Sequence, residues 1–238
     1  MFYKKIIIVW ALFNTCLAHT QTVDEIFRNF NKQYSSSKPL QYKSSYTLYK
    51  DFDAAKAEQS YKGVFYKNAK SEVYTKIANT EILNSKAVYL KVNHDEKAIE
   101  ISNPVAASFG DFDIKPLLDV CKIEKFVAYK NYWEITLQAK PYSGLPYSKI
   151  VVQISKDYFL QKQIFYYNTA INFSQDYRKP DPHYPRLEIT NTNYNRDPVN
   201  AAIFASSTYF STSDKKQIIL SESLKKYQVI DQRTITNK

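Results

Sequence analysis

The side chains best suited to chemistry are two histidines that stand close to carboxylates. His94 is followed directly by Asp95 and Glu96, and His183 lies in the segment DPHYPR. A protein zinc site needs three or four ligands at fitting spacing, and neither histidine has a second histidine near it in sequence. The pattern therefore predicts solvated turn histidines and no metal site.

A second group of chemically capable residues lies in the middle of the chain. Asp111 and Asp113 flank Phe112, and paired carboxylates can act as general acid and base. Here we expect them to cap a short helix that begins near Ile114. Cys121 lies in the apolar stretch LLDVCKIEKF without a histidine nearby, which predicts a buried, inert thiol. No G-x-S-x-G or H-E-x-x-H motif occurs, so the sequence predicts a protein that is not an enzyme and needs no cofactor.

The charge of the chain is basic but evenly spread. Lys and Arg number 33 against 23 Asp and Glu, which gives a net charge of +10 without any block of like charges. Such a surface suits loose attraction to anionic envelope surfaces, and no recognition motif suggests nucleic acid. The chain has only three glycines, which excludes glycine-rich phosphate loops.

The first twenty residues are typical of a secretory signal peptide. Lys4 and Lys5 precede an apolar run that ends at Phe13, and small residues follow up to Thr20. The run is shorter than the roughly 20 residues that a membrane span needs, so we expect no transmembrane span in the mature chain. Residues 1–20 are predicted to be cleaved, which leaves a mature chain from Gln21 in the periplasm, with release outside the cell as the alternative.

The mature chain begins with an amphipathic helix and continues as strands. Thr22 and Glu25 form a capping box. Apolar residues then follow at helical spacing: Val23, Ile26, Phe27, Phe30 and Tyr34. From Leu40 the period changes to two, and short polar turns separate about ten or eleven strands of an antiparallel meander. A short helix is predicted within 110–122, and no shift in composition divides residues 21–238, which indicates a single domain.

The apolar sides of these strands predict a ligand site. They comprise Val64, Tyr66, Val88, Leu90, Trp133, Ile135, Leu137, Ile150 and Val152. Two helices are few for covering such a sheet, so the sheet is expected to curl and to leave a concave apolar surface partly unfilled. Concave apolar walls are where small hydrophobic ligands bind. The alternative is a sheet that closes and fills with its own aromatic side chains.

The order of these elements resembles the LolA-like family of periplasmic lipoprotein carriers and their relatives. The resemblance rests on the N-terminal helix, on the strands from LQYKSSYTLYK onwards, and on the segment PVNAAIF at 198–204, where Asn200 replaces an Asp. It implies an unclosed antiparallel β-barrel, a half-barrel with helices on its concave side, which binds acyl chains. The chain after about residue 210 is longer than a plain carrier needs and is expected to form a C-terminal extension.

Two functions follow from these features. The first is an exported, non-enzymatic protein that holds a lipid, an acyl chain or another hydrophobic ligand, as a lipid or lipoprotein carrier or sensor of a bacterial envelope. The second is an envelope interaction module with a filled barrel, whose aromatic loops at 140–148 and 172–186 contact a protein partner.

Overall fold

A computed structural model describes residues 21–105, 114–176, 178–213 and 217–233, with the backbone alone at 114–116. The predicted signal peptide and the predicted cap residues Asp111 and Asp113 lie outside these residues. Within them, no helix is long and apolar enough to cross a membrane.

The N-terminal helix α1 (Val23–Ser35) forms as its capping box predicts. The Glu25 backbone N–H donates to Thr22 Oγ1 at 3.2 Å, and the Thr22 N–H donates to Glu25 Oε2 at 3.1 Å. The buried stripe of the helix consists of Ile26, Phe27, Phe30 and Tyr34. Helix α2 (Ile114–Val120) lies within the predicted range and ends where Cys121 begins the next strand.

Sixteen strands are assigned in the described residues. They are β1 (Leu40–Tyr49), β2 (Gln59–Lys67), β3 (Val73–Ile77), β4 (Thr80–Asn84), β5 (Tyr89–Asn93), β6 (Ala98–Ser102), β7 (Cys121–Ala128), β8 (Tyr132–Ala139), β9 (Tyr147–Ser155), β10 (Leu160–Tyr167), β11 (Ile171–Asn172), β12 (Pro182–His183), β13 (Arg186–Asn195), β14 (Phe210–Thr212), β15 (Ile218–Leu220) and β16 (Gln228–Asp231). Three 3-10 helices, Ala201–Phe204, Ser206–Thr208 and Glu222–Leu224, lie between the last strands.

Twelve of these strands form one unclosed sheet, in the order β16-β6-β5-β4-β3-β2-β1-β13-β10-β9-β8-β7. The edge strands β16 and β7 have no pairing partner on their outer sides among the described residues, so the barrel is open. Neighbours are antiparallel except β16 and β6, which are parallel. The mainly β fold is therefore an unclosed half-barrel, as the sequence resemblance implies.

The two faces of the sheet carry two separate cores. On the helix-side face, α1 packs with residues such as Leu40, Phe65 and Ile154. On the tail-side face, Leu83, Leu90 and their neighbours pack against the tail, which we define as residues 198–213 and 217–231. Alternation along β2 shows the division, since Phe65 belongs to the first core and Tyr66 packs against the second.

The tail forms 3-10 helices and short strands. The segment DPVNAAIF contains the 3-10 helix Ala201–Phe204, which Asn200 caps by accepting from the Ala202 N–H. Strand β14 pairs with β15 outside the large sheet, and the strand of the tail that joins the large sheet is β16.

Candidate ligand-binding surface

The structure divides the predicted lining residues into two groups on opposite faces. One group lies in the helix-side core: Trp133, Ile135, Leu137, Ile150 and Val152. The other group belongs to the tail-side core: Val64, Tyr66, Val88 and Leu90. Within these groups only Val64 and Tyr66 are partly exposed, and all the others are buried. The predicted residues therefore do not meet in one groove.

A partly exposed apolar stretch of the helix-side face, the open strip, consists of Tyr46, Leu48, Phe165, Leu187 and Ile189. Tyr46 pairs with Ile189 and Leu48 pairs with Leu187 across β1 and β13. Leu187 in turn pairs with Phe165 of β10. All five side chains are partly exposed. The strip is thus a continuous apolar surface across three neighbouring strands.

The position of α1 leaves the open strip partly exposed. The helix meets the strands near one end, where the Leu160 N–H donates to the Tyr34 hydroxyl at 3.2 Å. Phe165 lies five residues further along β10, and Leu48 lies eight residues beyond the buried Leu40 of β1. Phe165 also pairs with the buried Ile150, so the strip continues into the predicted lining residues.

Two cations hold the C-terminal end of α1 on the sheet. Lys67 Nζ donates to the carbonyl oxygens of Tyr34 and Ser36. Arg196 Nη2 donates to the Gln33 carbonyl at 3.0 Å and to Gln33 Oε1 at 2.6 Å. The last carbonyls of a helix lack intrahelical donors, and positive charge there is favoured by the helix dipole. Burial lowers the pKa values of both Lys67 and Arg196.

A buried network of polar groups lies beneath the same end of α1. The Tyr34 and Tyr194 hydroxyls are 3.0 Å apart, and the Tyr194 hydroxyl donates to the Leu160 carbonyl at 2.5 Å. Asn191 Nδ2 donates to the same carbonyl, and Asn191 Oδ1 accepts from Ser44 Oγ at 2.8 Å. Burial raises the pKa values of Tyr34 and Tyr194, so both hydroxyls stay neutral donors. These bonds fix the helix in one position on the sheet.

The prediction that the two histidines are simply solvated is wrong, because both form hydrogen bonds with other side chains. His94 Nδ1 lies 2.9 Å from the Tyr227 hydroxyl, and its Nε2 lies 3.2 Å from Glu81 Oε1. His183 lies between Asp51 and Asp181, at 2.9 and 2.8 Å. Hydrogen bonds to these two carboxylates raise the pKa of His183. Asp181 stands two residues before His183, whereas Asp51 and Tyr227 are brought in by the fold from more than 130 residues away.

The described residues also bear on whether the protein has a metal site or a reactive thiol. In the described ranges no cluster of three His, Cys, Asp or Glu side chains is placed to hold a metal ion. The Arg196 side chain donates to the Gln33 carbonyl at the end of α1. Cys121 is buried, and burial raises the pKa of its thiol.

Comparison with known proteins gives similarities of fold. No family model matches the chain, and no curated protein matches it. An uncharacterized conserved protein from Thermus thermophilus is 11% identical with a TM-score of 0.49, over 89% of this chain and 100% of that chain. A LolA superfamily protein from Nitrosomonas europaea and a DUF1329 family protein from Desulfovibrio piger are each 12% identical with a TM-score of 0.36, over 79% of this chain and 99% of theirs. The half-barrel assignment rests on the strand order above.

Proposed function

We propose that the protein is an exported, non-enzymatic binding protein, which holds an acyl chain or another hydrophobic ligand against the open strip of its half-barrel. One observation carries this proposal: the strip is apolar, continuous across β1, β13 and β10, and partly exposed, while the same face is covered by α1 elsewhere. The resemblance in sequence to periplasmic carriers favours a role as a lipid or lipoprotein carrier or sensor of the envelope.

The energetic basis of binding is the removal of apolar surface from water. Burying apolar surface stabilises a complex by about 25 cal/mol per Å². An acyl chain lying along Leu48, Leu187 and Phe165 would remove its own apolar surface and that of the strip from water. The same row continues across β9 and β8 as Ile150 and Leu137, which are buried. A shift of α1 would extend the site to Trp133, Ile135 and Val152, which lie in the same core.

Native mass spectrometry of the mature protein, purified from a bacterial envelope, tests this function. We expect a bound lipid, or uptake of one from vesicles, by the wild-type chain. Leu187→Glu places a charge in the strip and is expected to abolish the uptake, while Ile219→Glu, at an exposed site in the tail, is the matched control. A wild-type protein that never carries or takes up lipid would disprove the proposal.

A second function, docking of an envelope protein, is favoured by two exposed tyrosines. Tyr142 in the loop at 140–148 is fully exposed with a backbone φ of 61°, and Tyr184 in the loop at 172–186 is 54% exposed. Exposed tyrosines of this kind are common in protein interfaces. Recovery of one partner by crosslinking in the envelope, and its loss when residues 174–184 are deleted, would support this function.

A further inference from the structure

A cavity of about 430 Å³ lies between the tail and the tail-side face of the sheet. Its lining residues are Val64, Tyr66, Tyr74, Ala202, Ile203, Thr208 and Tyr209. Apart from the hydroxyls, these side chains are apolar or aromatic, and the rings of Tyr66 and Tyr74 stack with centroids 6.0 Å apart. The volume lies in the range of about 300–1,000 Å³ that is typical of small-molecule sites.

A second cavity of about 260 Å³ continues from the first along the sheet. The two cavities share Val64, which pairs with Lys43 of β1 on one side and with Lys76 of β3 on the other. The same cavity is also lined by Lys62, two residues before Val64 on the same face of β2. We call the two adjoining cavities the channel. Three lysines, Lys43, Lys62 and Lys76, line its second cavity.

The three lysines differ in their partners. Lys76 Nζ forms an ion pair with Glu81 at 3.0 Å, so its charge is neutralised. Lys62 Nζ donates to the neutral Ser45 Oγ at 3.1 Å. Among the described residues, no carboxylate lies within ion-pair distance of Lys43 or Lys62. Lys43 and Lys62 both line the second cavity, so an anion there meets two side chains that have no ion pair to lose.

We propose that this channel is a site for a single acyl chain with an anionic headgroup. The acyl chain of the ligand lies in the cavity between Tyr66 and Ile203, and its headgroup contacts the ammonium groups of Lys43 and Lys62. A positive rim beside an apolar cavity complements an amphiphile of this kind, because each part of the ligand meets a matching part of the site. The site goes beyond the proposed function, since it lies on the face of the sheet opposite to the open strip and does not depend on it.

Isothermal titration calorimetry with three ligands of equal chain length tests the site. Laurate carries a carboxylate, lauroyl lysophosphatidylglycerol carries a phosphate, and dodecyl maltoside is neutral, and all three are added below their micellar concentrations. We expect the mature protein to bind one or both anions and to bind the maltoside at least about tenfold more weakly, since charged hydrogen bonds are lost. Preference between the two anions identifies the headgroup. Raising the salt concentration weakens the anion binding.

Two variants separate the halves of the site. Lys43→Gln combined with Lys62→Gln is expected to weaken laurate binding about tenfold. The control combines Lys91→Gln with Lys122→Gln, which removes two exposed lysines from other strands and leaves binding unchanged. Ala202→Trp fills the apolar cavity from an exposed backbone position and abolishes binding of every ligand at this site. Thermal unfolding confirms that each variant is folded.

The outcome is independent of the open strip. Leu187→Glu, which blocks the strip, is expected to leave the dependence on Lys43 and Lys62 intact. In the Leu187→Glu background, where the strip is blocked, equal affinity for laurate and dodecyl maltoside, or laurate binding that survives both the double lysine variant and Ala202→Trp, would overturn the proposal. Loss of laurate binding in Leu187→Glu alone would assign the anion to the strip and would also overturn it.

Discussion

The Tyr209 hydroxyl donates a hydrogen bond to Glu81 Oε2 at 2.8 Å and so joins the tail to strand β4. The other carboxylate oxygen of Glu81 accepts from Lys76 Nζ at 3.0 Å and lies 3.2 Å from His94 Nε2. His94 in turn contacts the Tyr227 hydroxyl, the second attachment of the tail. One carboxylate with 15% of its side chain exposed therefore connects the sheet to two points of the tail.

The bond between Tyr209 and Glu81 can be removed without changing the size of the core. Tyr209→Phe is expected to lower the free energy of unfolding by about 1.5–3 kcal/mol, the range for hydrogen bonds to charged groups. Urea unfolding followed by circular dichroism measures the loss. Tyr142→Phe is the control, because Tyr142 is fully exposed and its hydroxyl has no partner among the described residues. Equal stability of the two variants would contradict the role of this bond.

Stability is expected to depend on pH through Glu81. Burial acts to raise the pKa of Glu81, but hydrogen bonds from Tyr209, Lys76 and His94 outweigh it, and the folded pKa lies below the usual value. The contribution of Glu81 is therefore complete above the unfolded pKa of about 4.3 and is lost as the pH falls through the folded pKa.

Comparison with Glu81→Gln tests this dependence on pH. Urea midpoints measured from neutral to acidic pH should fall more steeply for the wild-type chain than for the variant, so that the two curves converge in acid. Parallel curves would show that the carboxylate does not contribute. Glu96→Gln, in an exposed turn, serves as the control.

Much of the fold could be predicted from local patterns. The capping box and the apolar stripe predict α1 because both act within a few residues of each other. The alternation from Leu40 predicts strands in the same way. The order of the strands could not be predicted, because β13 inserts between β1 and β10, and nothing in either sequence specifies so distant a partner.

The site was harder to predict than the fold for a physical reason. In β2 both alternating sets are apolar, since Phe65 faces α1 and Val64 and Tyr66 face the tail. Alternation shows which residues of one strand share a face, but it does not relate the faces of distant strands. The sequence therefore joined Val64 and Trp133 in one groove, although they lie on opposite sides of the sheet. The open strip was missed, although the alternation of Tyr46 and Leu48 was visible.

The C-terminal end of α1 is expected to loosen when Arg196 is replaced. Arg196→Met keeps an apolar chain over the helix but removes the donors to Gln33 and Ser36. The free energy of unfolding should fall by about 1–3 kcal/mol, because backbone carbonyls are left without a donor. Hydrogen exchange should accelerate in the last turn of α1, and Arg28→Met, at an exposed position of the same helix, should leave it unchanged. Unchanged exchange in Arg196→Met would contradict the anchoring role.

The two described glycines are expected to resist substitution for different reasons. A Cβ atom at Gly63 would lie 2.9 Å from the Lys76 carbonyl oxygen, so β2 and β3 must move apart in Gly63→Ala. We expect the free energy of unfolding to fall by about 1–3 kcal/mol from overpacking.

Gly144 has open space around it but a φ of +72°, so Gly144→Ala should lower the free energy of unfolding by about 1–2 kcal/mol from backbone strain alone. Urea unfolding of both variants checks these values, and a neutral Gly63→Ala would contradict the close packing of β2 and β3.

The thiol of Cys121 is expected to react only when the protein unfolds. Cys121 begins β7 in the helix-side core and is 2% exposed, and burial raises the pKa of its thiol. Because the thiolate is the reactive form, both the low exposure and the raised pKa slow its reaction with disulfide reagents. In a chain that begins at Gln21, Cys121 is the only cysteine, so the colour released by Ellman's reagent reports this site alone. We expect slow modification of Cys121 in buffer, with a rate that rises with the urea concentration in parallel with unfolding. The control is a chain with both Ser211→Cys and Cys121→Ala, which should react at once because position 211 is exposed. Rapid, complete modification of Cys121 in the native protein would show that the edge of the barrel at β7 opens far more readily than its packing indicates.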